Sequence, residues 1–358
     1  MKHILLTTSL LFLLSSSLVA QVLEKDTTTA AYPYVLPIWA DKVIERGMGD
    51  LMQLPFGLSA HYVNAFIDLE ITEFELQVAG QDLTGIINTE TLNFTSVTAT
   101  TNGINFRGDA WILPFLNVYG LFSKVEGSTG VSLKPTWTDA TGDVILEMPE
   151  FSSKVEFDAI AYGGGATLIY GFDNYFMSSD VNFSRTNTEL LKDQVTYATL
   201  STRVGRRFAL SKTKKDRLIA VYIGAMYRDF IGDKGNHGEI GLDQVFPEAD
   251  GIFNQRVDDK IAANEQTIID EGWGPANPNR IKLEAQNAAL GKIQTVVNES
   301  GLFTTDINYF IHKEMIQAWT FQFGFNFQIN KTWAVRGEYG VADSQRFLMT
   351  GLQYRFGL

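Results

Sequence analysis

Cysteine is absent from the 358 residues. That excludes disulfide scaffolds, thiolate metal sites, cysteine nucleophiles and a lipidated N-terminal cysteine. Basic residues are scarce, with 29 Lys and Arg against 41 Asp and Glu and a net charge of -12. A nucleic-acid partner is not expected, because phosphate recognition needs a basic face. Histidine is rare as well, with four in the chain. No H-E-x-x-H, P-loop, EF-hand or G-x-S-x-G pattern occurs, so no cofactor or metal is expected. Gly57-Leu58-Ser59-Ala60-His61 places a serine and a histidine on one strand face, a spacing too common to define a nucleophile. Long apolar runs are missing too. A membrane helix needs about 20 apolar residues, and the longest internal run, Leu218–Met226, has the length of a barrel strand.

What is plentiful is aromatic residues and glycine: 25 Phe, 13 Tyr, 6 Trp and 31 Gly. From Trp319 to Gln328 they fall into strict alternation. Trp319, Phe321, Phe323, Phe325 and Phe327 occupy one face, and Thr320, Gln322, Gly324, Asn326 and Gln328 the other. Period two is a strand signal, and a face made only of rings suits lipid better than a soluble core. Leu348, Leu352, Tyr354, Phe356 and Leu358 repeat the pattern at the end of the chain.

The first twenty residues read as a secretory signal peptide. Lys2 and His3 precede an apolar core, Ile4 to Leu14, and small residues lead to a cleavage site after Ala20. Residues 21–54 read as an N-terminal periplasmic segment with a short helix over 38–46. Residues 55–358 read as the barrel. Ten strands are expected near 56–67, 103–113, 115–126, 155–171, 175–185, 194–208, 216–229, 316–328, 331–341 and 345–357. The count becomes twelve if 68–102 or 127–154 holds another hairpin. Short links alternate with longer or more polar ones, as periplasmic turns alternate with external loops in transmembrane barrels. The link 230–315 is an insertion that reads as a helical hairpin. One stripe carries Val257, Ile261 and Ile268; the other carries Ile281, Ala285, Ala289, Ile293 and Val297, with Asn279 as the second helix's cap. Asp233, Glu239, Asp243, Glu248 and Asp250 read as a solvated acidic loop.

Several stretches carry a resemblance: Asp109-Ala110-Trp111-Ile112-Leu113-Pro114-Phe115-Leu116-Asn117-Val118-Tyr119-Gly120, Tyr162-Gly163-Gly164-Gly165, Arg203-Val204-Gly205 and the Tyr354-Arg355-Phe356 ending. In these the chain resembles uncharacterised outer-membrane β-barrel proteins of Gram-negative bacteria. The resemblance implies an all-β transmembrane, antiparallel up-and-down barrel and a porin-like or transporter role, with no catalytic residues to carry over. It also implies an outer-membrane location, contact with lipid and lipopolysaccharide, and recognition of the last strand by the barrel insertion machinery.

On the face opposite the rings, Arg107, Asp109, Asp180, Arg203, Arg207, Arg228, Arg336, Glu338 and Arg355 would line the lumen. They form either a salt-bridged, filled interior or an arginine-rich constriction that prefers anions. Trp319, Phe321, Phe323, Phe325, Phe327, Tyr354 and Phe356 would face the membrane. The leading expectation is passage of small solutes. The alternatives are a non-conducting surface barrel that binds a partner through loops and helices, and a lipid-modifying hydrolase.

Overall fold

Alternating stretches become long antiparallel strands. The computed structural model describes residues 32–47, 49, 52–188, 194–211, 216–232 and 235–358. The expected signal peptide, the rest of 21–31 and Asp233 lie outside the described residues, as do the loop 189–193 and the turn 212–215. The strands are β1 (Phe56–Val78), β2 (Gln81–Asp82), β3 (Phe94–Leu113), β4 (Leu116–Leu133), β5 (Thr136–Thr138), β6 (Val144–Glu147), β7 (Phe151–Phe172) and β8 (Tyr175–Thr188). They continue as β9 (Val195–Ala209), β10 (Leu218–Phe230), β11 (Gly235–Gly241), β12 (Asp306–Met315), β13 (Trp319–Gln328), β14 (Trp333–Val341) and β15 (Gln345–Phe356).

Ten of these close into a barrel in the order β1-β15-β14-β13-β10-β9-β8-β7-β4-β3, with β3 returning to β1. The first strand meets the last from Phe56↔Phe356 to Ile67↔Gln345. Closure leaves the ten-strand wall without a free first or last strand, which a sheet in hydrocarbon requires. The extra hairpin within 127–154 exists as β5–β6, but it forms a separate two-stranded sheet, so the barrel count stays at ten.

The outer face shows where hydrocarbon would end. On β1 it runs Leu58, Tyr62 and Phe66, then turns to Asp68, Glu70, Glu75 and Gln77. On β3 the change falls between Ile104 and Asn102. On β4 it falls between Phe122 and Lys124, and on β7 between Ile160 and Asp158. Lys124 is paired with both Ile104 and Ile160, so the border is continuous across β3, β4 and β7. Trp319, Phe321 and Phe323 are 55%, 52% and 47% exposed on the same outer surface. Rings also gather near the ends of the strands, with Trp333 against Tyr354 at 4.9 Å and Tyr227 against Trp319 at 5.3 Å between centroids. An apolar band edged by aromatics is the surface of a transmembrane barrel.

The wall is uneven. β1, β3 and β7 have 23, 20 and 22 residues, whereas β13 and β14 have 10 and 9. About 9–11 residues suffice to cross a bilayer, so the long strands continue past the border. Above Ile67, β1 exchanges β15 for β12, which pairs with it from Leu69↔Met315 to Val78↔Ile307 and carries β11 on its other edge.

Helix α1 (Ala40–Glu45) lies at the terminal end, and the far end is covered by the others: α2 (Thr89–Leu92), α3 (Leu242–Val245), α4 (Ala249–Asp270) and α5 (Pro278–Ser300). The last two form the expected hairpin. Phe253 and Val257 of α4 and Leu290 and Val297 of α5 bury against Leu76, Val78, Trp137, Ile145 and Ile307. The helix-to-helix seam is polar, with Asn254 accepting from Asn298 at 2.9 Å and Asn264 donating to Asn287 at 2.7 Å. The apolar stripes of both helices therefore join one core with the barrel end. Two expectations are corrected. The α5 cap is Asn277, which accepts from the Asn279 backbone at 2.8 Å, because Pro278 takes the first helical position. Ile281 is 53% exposed, because the buried face runs through Gln286, Leu290 and Val297.

Candidate functional site: the barrel lumen

A cavity of about 1260 Å³ follows the lumen from Pro37, Val43, Arg46 and Met52 at the terminal end to Phe253, Val297 and Leu302 on the underside of the helical cover. Inward-pointing positions line it, and they divide into two layers.

The layer toward the chain termini is charged and cross-linked. Glu338 on β14 is 3% exposed and accepts from four donors. Arg203 on β9 reaches it with Nε at 3.2 Å and Nη2 at 3.1 Å. Arg336 donates at 2.7 Å, and so does the Tyr222 hydroxyl of β10. Opposite lies a second group. Arg107 donates to Asn117 at 2.8 Å, and Asn117 donates in turn to Asp109 at 2.6 Å. Asp109 ion-pairs with Arg355 at 3.0 Å, and Arg355 also donates to the Leu54 carbonyl at 2.9 Å. Asp180 accepts from Tyr119 at 2.8 Å and from Thr167. The Arg107 guanidinium lies 3.5 Å from the Tyr119 ring centre. Glycine makes room for this: a Cβ on Gly165 would meet the Tyr119 hydroxyl and the Val181 carbonyl.

Four arginines here face three carboxylates, and each arginine holds a protein acceptor. Arg336 and Glu338 pair directly. Arg107 and Asp109 do not: Asn117 stands between them, and the ion pair of Asp109 is with Arg355. Residues two apart on a strand project to the same side, and the Asp109 carboxylate meets Arg355 over Gly57 of the intervening strand β1. Arg207 stands apart, donating to the Asp173 carbonyl at 2.9 Å near a turn. Arg228 lies in the other layer. Tyr222 and Thr167 complete the network, yet they carry no separate sequence signal. Tyr222 is hidden in the run Leu218–Met226, which is apolar on both faces.

The layer toward the helices is apolar along β1 and β7, while β8 and β9 bring Ser184, Thr186, Thr188, Tyr197 and Thr199 to its other side. Val63, Ala65 and Ile67 on β1, Val97 and Ala99 on β3, and Val155, Phe157 and Ala159 on β7 face the cavity. Met226 and Phe347 form a small cluster with Ala65. Charge enters this layer through Arg228 on β10 and Lys313 on β12. Lys313 falls inside the insertion as read from sequence, where no strand was expected.

Both mouths are covered. At the terminal end Ile38 donates to the Ile112 carbonyl at 2.8 Å, Trp39 packs on Phe115 at 6.3 Å, and Pro37, Val43, Arg46 and Met52 reach the cavity. At the far end the helices close over it. Ser59 and His61 are both buried on the lumenal face of β1, and the Ser59 hydroxyl has no hydrogen-bond partner among the described residues. His61 packs on Gly351 of β15 instead. Among the described residues no group of three or more His, Asp or Glu is placed to hold a metal.

No family model and no curated protein matches this chain. Among solved structures it is similar to the β domain of the Bordetella autotransporter BrkA, at 10% identity over 83% of this chain and 99% of that one, with a TM-score of 0.33. It is similar to the translocator domain of the autotransporter NalP from Neisseria meningitidis, at 9% identity over 88% and 93%, with a TM-score of 0.34. It is also similar to an outer membrane channel from Pseudomonas putida F1, at 8% identity over 86% and 98%, with a TM-score of 0.27. The wall itself, ten antiparallel strands closed on one another beneath a band of exposed rings, makes this chain a β-barrel of the outer-membrane type.

Proposed function

We propose that this protein sits in the outer membrane of a Gram-negative bacterium and passes small solutes through a gated lumen. The observation that carries the reading is a cavity along the barrel axis covered at each end by a segment of chain outside the wall. The ten strands would contact lipid and lipopolysaccharide, and β15 would present the C-terminal signal to the insertion machinery. Residues 32–54 would then cover the periplasmic mouth and the helices the external one. Passage requires one cover to move. The cap is tied to the β5–β6 hairpin by Lys282 to Asp143 and by Gln286 to Asp139 at 2.9 Å.

The absence of cysteine makes a clean test. Asp143→Cys with Lys282→Cys, bridged by a thiol crosslinker, locks the cap. Proteoliposomes with the locked protein should lose solute uptake, and opening a cleavable bridge should restore it. Uptake unaffected by the lock would refute gating at this end.

A second reading has its own support. The charged layer gives each of its four arginines a protein acceptor, as in an interior built to be filled. A sealed barrel would show no current steps in planar bilayers with the cap locked or free.

A further inference from the structure

We infer that the apolar layer of the lumen is a binding chamber for single-chain anionic amphiphiles, molecules with one apolar tail and one anionic head. The inference deepens the lumen reading above and rests on the lumen being the working compartment, but it does not require passage.

Two features of the chamber point the same way. The first is its lining. On β1 the inward face runs Val63, Ala65, Ile67 without a polar side chain, and β7, on the same side of the barrel, adds Val155 and Phe157 to this apolar wall. Such a surface gains by taking apolar area out of water, at about 25 cal/mol per Å². The chamber is one part of a lumen of about 1260 Å³, on the scale of ligand pockets that run to about 300–1,000 Å³.

The second feature is charge of one sign. The carboxylates that line the cavity, Asp109, Asp173, Asp180 and Glu338, all belong to the terminal half. The half beneath the helices holds Arg228 and Lys313. The Arg228 guanidinium lies 5.7 Å from the Phe347 ring and 3.9 Å from the Met226 sulfur. No carboxylate lies within ion-pair distance of Arg228 or Lys313 among the described residues. Lys313 ends an inward row on β12 that otherwise reads Ile307, Tyr309, Ile311. The four arginines of the charged layer all have polar acceptors, so these two cations stand out. A half-buried cation beside apolar side chains is costly until an anion meets it. A carboxylate or phosphate head would do so while its tail lies along the chamber wall.

The test is equilibrium dialysis of the purified full chain in a short-chain nonionic detergent with labelled dodecanoate. Dodecanoate should bind at one site and should be displaced at least about tenfold less well by dodecan-1-ol or dodecyltrimethylammonium than by unlabelled dodecanoate, a difference of about 1.4 kcal/mol. Arg228→Gln with Lys313→Gln should remove that preference, and Arg228→Lys with Lys313→Arg should keep it. Ala99→Trp should exclude both dodecanoate and dodecan-1-ol. Retained heat-modifiable migration on gels identifies folded variants. Competition by lysophosphatidylglycerol, in addition to or in place of dodecanoate, supports the inference and assigns the membrane as a source. Equal binding of acid and alcohol would overturn it, as would binding indifferent to Ala99→Trp or no binding at all. The result is separable from the gating reading. A barrel that binds dodecanoate and conducts nothing keeps the chamber and loses passage; one that conducts and binds none does the reverse.

Discussion

At the residue scale the decisive group is Glu338. It is almost fully buried and neutralises Arg203 and Arg336 together. Removing one partner of a buried ion pair leaves an uncompensated charge, which costs about 3–5 kcal/mol. Glu338→Ala should therefore lower the unfolding midpoint, followed by the shift from folded to unfolded migration on gels against urea or temperature. Adding Arg203→Met and Arg336→Met should recover most of the loss. An unchanged midpoint in Glu338→Ala would mean that lumenal water, not the carboxylate, balances the arginines. Much of this layer is visible in the sequence, because inward parity on each strand selects the charged positions. The pairing is not visible. Arg107 and Asp109 look like neighbours, but the partner of Asp109 is Arg355, almost the whole barrel sequence away and adjacent in space only after closure.

At the element scale the cap is seated by its buried apolar face and adds a small polar joint to the β5–β6 hairpin. The Asp139 carboxyl is held below its ordinary value of 3.8, chiefly by the Thr141 hydroxyl and next by the Gln286 amide. The hydrogen bond from Lys282 similarly lowers Asp143. A carboxyl with a depressed folded value contributes its stabilisation above 3.8 and loses it as pH falls through the folded value. Docking of α5 on the β5–β6 hairpin should accordingly hold at about pH 5 and loosen toward about pH 2. Pepsin cleavage within 249–300, normalised to an unfolded peptide at each pH, should rise over that interval. Gln286→Ala should cleave readily even at the upper end. A cleavage rate flat with pH in the intact chain would remove this joint from the account. The helices themselves are legible from Pro278, Gly301 and their apolar spacing. Their phase is not, because the spacing cannot tell a helix that packs on its twin from one that packs on a barrel rim. That is why Ile281 is exposed while Leu290 is buried. β12 was hidden for the same reason: its partner is the upper half of β1, and long-range register leaves no local mark.

At the scale of the whole molecule the border on the outer wall fixes how it stands in a bilayer. Phe323 lies in the middle of the ring-bearing face of β13. A charge at the mid-plane of a lipid-facing strand costs about 2–4 kcal/mol, and near the border about 0–1. Phe323→Arg should destabilise the folded barrel in vesicles by the larger amount, and Ile160→Arg, at the border, by the smaller. Equal costs would mean that the border is misplaced. Here the sequence serves well, since strand count, order and the alternation of inward and outward faces all follow from period two. Loop length sorts the two ends less cleanly. The far-end link 342–344 is shorter than the opposite link 210–217, because β14 and β15 stop at the border while β1 and β7 run on.

The exchange of partners along β1 has a mechanical consequence. Its lower half is zipped to the last strand and its upper half to the ribbon on which the helices rest. One stave is thus common to the seam and to the lid. A load on the seam at 56–67 is therefore borne by the same strand that carries the ribbon under the lid.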